Sequence, residues 1–172
     1  MIVPMKRALQ SMVVALVLRV VHAALTELQR LDSRVRRELE QMPEGMGYAV
    51  ETGYRAPTLY VRWSGGQLQR CAAAPPAPCC ALRLKNLPLA FLFCTGQMGV
   101  AQAYARHAFT ISGDVADVMK LARLINLVEA YLFPPLITRR IMTDIPPLQV
   151  NPLRVYGSIA FGFLCNRYRL SR

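Results

Sequence analysis

Residues 109–125, FTISGDVADVMKLARLI, constrain the fold more than any other stretch of this chain. Phe109 and Ile111 alternate with Thr110 and Ser112, the two-residue period of a strand with one buried face. After Gly113 the period becomes helical. Asp114 occupies an N-cap position, and Asp117 adds favourable negative charge in the first turn. The helix is expected to run to about Phe133, where Pro134 and Pro135 stop it. At 100° per residue, Val118, Leu121, Ala122, Ile125, Val128 and Leu132 share a broad face. Leu124, Leu127 and Tyr131 lie nearly opposite, among Asp117, Lys120 and Arg123. A helix apolar on both sides needs partners on both sides.

The preceding segments supply a sheet. GYAVETG (47–53) and TLYVRW (58–63) alternate, with Leu59, Val61 and Trp63 on one face of the second run. SGGQ (64–67) is a hairpin turn, QLQRC (67–71) a third strand, and the proline-rich 72–79 a surface loop. CALRLKN (80–86) is a fourth strand with Leu82 and Leu84 inward. LPLAFLFC (87–94) and residues 96–107 read as short helices, and FTIS is the fifth strand. The expected fold class is therefore α+β, with a mostly antiparallel five-stranded sheet covered by helices on one face.

At the N-terminus, SMVVALVLRVVHAAL (11–25), preceded by Lys6 and Arg7, has the outline of a signal peptide. Arg19 interrupts its apolar run, and the amphipathic pattern continues through residue 42, so a long retained helix is expected, broken near Asp32. No run of about 18 uninterrupted apolar residues occurs, which predicts a soluble or peripheral protein. The sequence divides into an N-terminal helical region (1–44), an α+β core (45–133) and a basic, apolar extension (134–172).

Charge and cysteines then bound the partners. The net charge is +11, and 18 of the 21 basic residues are arginine. Nucleic acid is not expected as a partner, because the bases are scattered and no aromatic reading motif accompanies them. In the extension six arginines face Asp144 alone and are interleaved with VYGSIAFGFLC (155–165), which suits either an anionic membrane surface or ordinary solvated faces. Arg139, Arg140, Arg154, Phe161, Phe163, Arg167 and Arg169 are the expected membrane contacts. Five cysteines without a CxxC spacing, and two distant histidines, predict free thiols and no metal site.

The order of these elements resembles the sterol carrier protein type 2 domain family. The matching pieces are WSGGQL (63–68), the strand CALRLKN followed by LPLAFLFCTG (80–96), and FTISGD (109–114), covering roughly residues 45–133. The segment TGQMGVAQAYARHA (95–108) and everything after residue 133 depart from the family pattern. The resemblance implies an apolar tunnel between sheet and helices for a fatty acyl, sterol or isoprenoid chain, with no catalysis and no cofactor. Strand parity and helical face nominate Val61, Trp63, Leu84, Phe109, Ile111, Met119, Ala122 and Ile125 as lipid-binding residues, each of which also suits an ordinary core.

Three functions stay open: a lipid carrier, a membrane-surface scaffold acting through its basic tail, and a small enzyme. For the last, Cys94 and His107 are the available nucleophile and base, but Cys94 lies in an apolar run and no acid is placed to orient His107. The expected protein is non-catalytic, cytoplasmic, and peripheral to the inner membrane face where its tail engages lipid. The sequence leaves the oligomeric state open.

Overall fold

A computed structural model describes residues 2–76, 79–142 and 144–168. Helix α1 (Ile2–Leu31) and α2 (Ser33–Glu40) precede strands β1 (Gly47–Glu51), β2 (Thr58–Ser64), β3 (Gln67–Cys71) and β4 (Cys79–Leu84). Helices α3 (Leu87–Cys94) and α4 (Val100–Ala105), strand β5 (Phe109–Ser112) and helix α5 (Val115–Leu132) follow. Helices α6 (Pro135–Ile141) and α7 (Pro152–Leu164) are the last elements among the described residues.

The five strands form one sheet in the order β3-β2-β1-β4-β5. Three pairings are antiparallel; β1 and β4 are parallel. Register aligns Tyr48 with Val61, Val50 with Leu82, Trp63 with Leu68, and Leu84 with Phe109, so their side chains share the face covered by helices. On the opposite face Pro75 folds over β1. A Cβ on Gly47 would lie 2.6 Å from the Pro75 Cβ, so only glycine admits that contact.

Helix α1 breaks from α2 at Asp32, whose extended backbone lets its carboxylate accept from the Arg34 amide at 2.8 Å. The same carboxylate pairs with the Arg34 guanidinium at 2.7 Å and accepts from Tyr131 of α5 at 2.6 Å. Burial works against the charged form, but the bonds from Arg34 and Tyr131 outweigh it and hold Asp32 below its ordinary value. The Tyr131 hydroxyl also accepts from the Gln149 amide at 3.0 Å, tying the C-terminal extension to the same junction.

Helix α5 answers the question its pattern poses. It packs on α1, α2, α6, α7, β4 and β5. Val118, Leu121, Leu124, Val128 and Tyr131 are all buried. Its charged strip is used as well: Lys120 bonds Asp117 at 2.8 Å and the Gln41 carbonyl at 3.2 Å, and Arg123 pairs with Glu38 at 3.1 Å. Asp114 caps the helix as its sequence position predicts, accepting from Ala116 at 2.7 Å.

Two features go beyond the sequence expectations. The extension contains two helices, and α7 buries Val155 and Ile159 in the same hydrophobic core as the sheet. At the N-terminus, residues Met5–Leu31 form a helix long and apolar enough to cross a membrane, with a mean hydropathy of 1.8 over its most apolar 18-residue window. An average over 18 residues tolerates Arg19, whereas an uninterrupted apolar run does not. Its C-terminal half is built into the core through Ala23, Ala24, Leu25 and Leu28. In its N-terminal half Met5, Leu9, Met12 and Leu16 are exposed at spacings of four, three and four residues.

Candidate functional site

An apolar cavity of about 160 Å³ lies where three helices meet the sheet. Helix α1 contributes Val17, Leu18 and Val21; β1 contributes Val50; α3 contributes Phe93 and Cys94. Ile125, Val128, Glu129 and Leu132 of α5 form the remaining wall with Phe133 just beyond. Positions i, i+3, i+4 and i+7 lie on one helical face, which is why those four α5 side chains point together. An engineered apolar cavity of ~150 Å³ stays dry and takes up benzene, so this space suits a ring or a short length of chain.

The electrostatics of this wall are unusual at one residue. Glu129 is 6% exposed, and its Oε2 is buried with no hydrogen-bond partner in the structure. Burial raises its carboxyl to about 8, so at neutral pH the group is mostly an uncharged acid. Across the cavity, burial and the nearby Glu129 push the Cys94 thiol up to about 12. That thiol holds its proton and is no ready nucleophile. His107 sits on an exposed turn after α4, with a left-handed backbone at φ 49°. Among the described residues, no group of three or more His, Cys, Asp or Glu is placed to hold a metal ion.

Of the eight residues nominated from sequence, Ile125 borders this cavity. Val61, Trp63 and Leu84 are buried on the helix-covered face of the sheet, away from its lining. Phe109 and Ile111 are half-buried on β5, one of the two edge strands. Ala122 is buried one turn before Ile125, and Met119 is 46% exposed. Sequence reasoning missed Glu129, although an acid on the face shared by Ile125, Val128 and Leu132 is a legible signal. It also missed the α1 wall, because which turn of a long helix meets the sheet is a tertiary matter.

A second depression, of about 710 Å³, is lined mainly by polar and charged residues. It lies between α1, the β2–β3 hairpin and Arg167–Tyr168, with His22, Arg30, Arg36 and Arg70 on its walls. His22 Nε2 donates to the Leu68 carbonyl at 3.0 Å, and burial lowers the imidazole's affinity for a second proton.

The extension presents its charges outward. Arg139, Arg140 and Arg154 are exposed, and Arg167 pairs with the buried Glu27 at 2.7 Å. Arg169 lies outside the described residues. Helix α7 turns Val155 and Ile159 inward while Phe161 and Phe163 remain 58% and 43% exposed.

No protein-family model matches the chain, and no curated protein matches it in sequence. Among solved structures the chain is similar to a UbiJ-SCP2 ubiquinone synthesis protein, at 15% identity and a TM-score of 0.45. That match covers 63% of this chain and 96% of the other. It is also similar to sterol carrier protein 2 like 2 from Aedes aegypti, at 14% identity and a TM-score of 0.33, covering 56% and 94% of the two chains.

Proposed function

We propose that this protein is a non-catalytic lipid-binding carrier that holds part of an acyl, sterol or isoprenoid chain between α1, α3 and α5. The observation that carries this reading is the cavity itself, walled by aliphatic and aromatic side chains with a single carboxyl among them. Each methylene buried there contributes about 0.8 kcal/mol, so a chain segment binds without directional contacts. At about 160 Å³ the space takes one end of a lipid, and the rest must lie along the opening or part the helices. The high thiol value of Cys94 and the exposed turn position of His107 favour binding over covalent chemistry.

Filling the cavity tests the reading. Ile125→Trp places added volume inside the space, so displacement of a fluorescent fatty-acyl or isoprenoid probe should weaken at least tenfold while the far-ultraviolet spectrum is preserved. Undiminished affinity in a folded Ile125→Trp protein contradicts it.

A second reading, attachment to an anionic membrane, is favoured by a specific surface of α7. Leu153, Phe161 and Leu164 are exposed on one side of that helix beside the cationic Arg154. Arg139 and Arg140 add charge from α6. Carriage between bilayer and cavity would be served by such a surface, because the cargo then need not cross water.

A further inference from the structure

Building on the lipid-binding reading, we propose that Glu129 is the specificity-determining contact of the cavity, selecting a lipid whose buried end carries an uncharged oxygen acceptor such as a ketone, ring carbonyl, ester or ether. The geometry is that of an incomplete hydrogen-bonding site. Glu129 Oε2 is buried without a partner, on a residue 6% exposed, in the wall of an otherwise apolar cavity. A buried polar atom left unpaired is costly, and native structures rarely keep one without a use.

The neighbours decide what the partner must be. Helix α1 and strand β1 bring only Val17, Leu18, Val21 and Val50 to the cavity, and α3 brings Phe93 and Cys94. None of them supplies a cation or a strong donor. A carboxyl in those surroundings retains its proton at neutral pH and so offers an O–H to whatever enters. An acceptor oxygen on the ligand satisfies it. A carboxylate ligand would bring a buried negative charge into a site with no counter-ion, and a pure hydrocarbon would leave the acid unpaired. The cavity therefore discriminates by chemistry at its one carboxyl and tolerates variation in the chain that follows.

Single-ring probes of a size suited to the cavity make the test direct: toluene, acetophenone and benzoate, titrated calorimetrically at pH 6.5 against wild type, Glu129→Leu and Glu129→Gln. In wild type, acetophenone should bind about tenfold more tightly than benzoate. In Glu129→Leu it should lose about five- to tenfold, as expected for one hydrogen bond to a buried group. Toluene should bind that variant as well as wild type or better, and Glu129→Gln, whose amide still donates, should retain most of the acetophenone affinity. Equal responses of acetophenone and toluene to Glu129→Leu, or benzoate binding as tightly as acetophenone, would overturn the role of Glu129 while leaving the cavity reading intact. Failure of wild type to bind any of the three overturns both.

Discussion

Glu129 has a folded-state value of about 8 against an ordinary 4.5. Between those values the unfolded chain has lost a proton that the native protein keeps. Folding stability therefore falls as pH rises from roughly 4.5 to roughly 8, by up to ~5 kcal/mol for a shift of this size. His22, whose burial lowers its value below 6.5, acts in part of the same window but alike in wild type and variant. Asp32 acts elsewhere: its stabilisation is present above the ordinary carboxylate value and is lost as pH falls through its depressed one. Urea unfolding at pH 5.5 and 8.5 should show wild type losing stability relative to Glu129→Gln as pH rises. A constant difference between the two proteins across that range would contradict the buried-acid account. The sequence displays Glu129 on an apolar helical face, but its lack of a partner depends on what α1, α3 and β1 bring opposite, which no local pattern records.

Strand β5 and helix α5 meet at Gly113, where the backbone takes φ 93°. A Cβ there would lie 2.8 Å from Cys80 Sγ and 3.0 Å from Cys80 Cα, so any side chain meets both backbone strain and the neighbouring strand. Gly113→Ala should cost about 2 kcal/mol or more, lowering Tm by roughly 4–8 °C for a domain of this size. Gly65→Ala, at φ 60° in the β2–β3 turn with open space around it, should cost about half as much. Equal melting temperatures for the two variants would show that the close approach to β4 does not matter. Most elements at this scale are legible, because alternation marks β1 to β5 and the caps Asn86 and Asp114 mark α3 and α5. The helices of the extension are less so. Pro135 opens α6, and Asn151 caps α7 with Pro152 following, signals that a reading of the segment as basic surface passes over. The parallel pairing of β1 with β4 brings together segments some thirty residues apart, and only the assembled sheet decides it.

Across the whole molecule, the extension is part of the fold on one side and open to a surface on the other. Deleting α7 would uncover the core against which Val155 and Ile159 pack, so point changes on its outer side are the cleaner test of the proposed membrane contact. Wild type should co-sediment with phosphatidylserine-containing vesicles, less so as salt shortens the Debye length below ~8 Å. The double substitution Phe161→Ser, Leu164→Ser should weaken binding about tenfold or more, given the ~1.5–3 kcal/mol available for each apolar side chain fully buried. Equal binding to neutral vesicles, or by the double variant, would make that surface irrelevant to membranes.

The central claim, that the space between α1, α3 and α5 holds lipid, is tested most directly by native mass spectrometry of wild type and Ile125→Trp after exposure to a mixed lipid extract. Wild type should carry adducts above its 19.3 kDa mass that leave as intact lipid on collisional activation, and Ile125→Trp should fly largely bare. Wild type appearing only as the bare chain, or the two proteins carrying the same adducts in the same amounts, would contradict it.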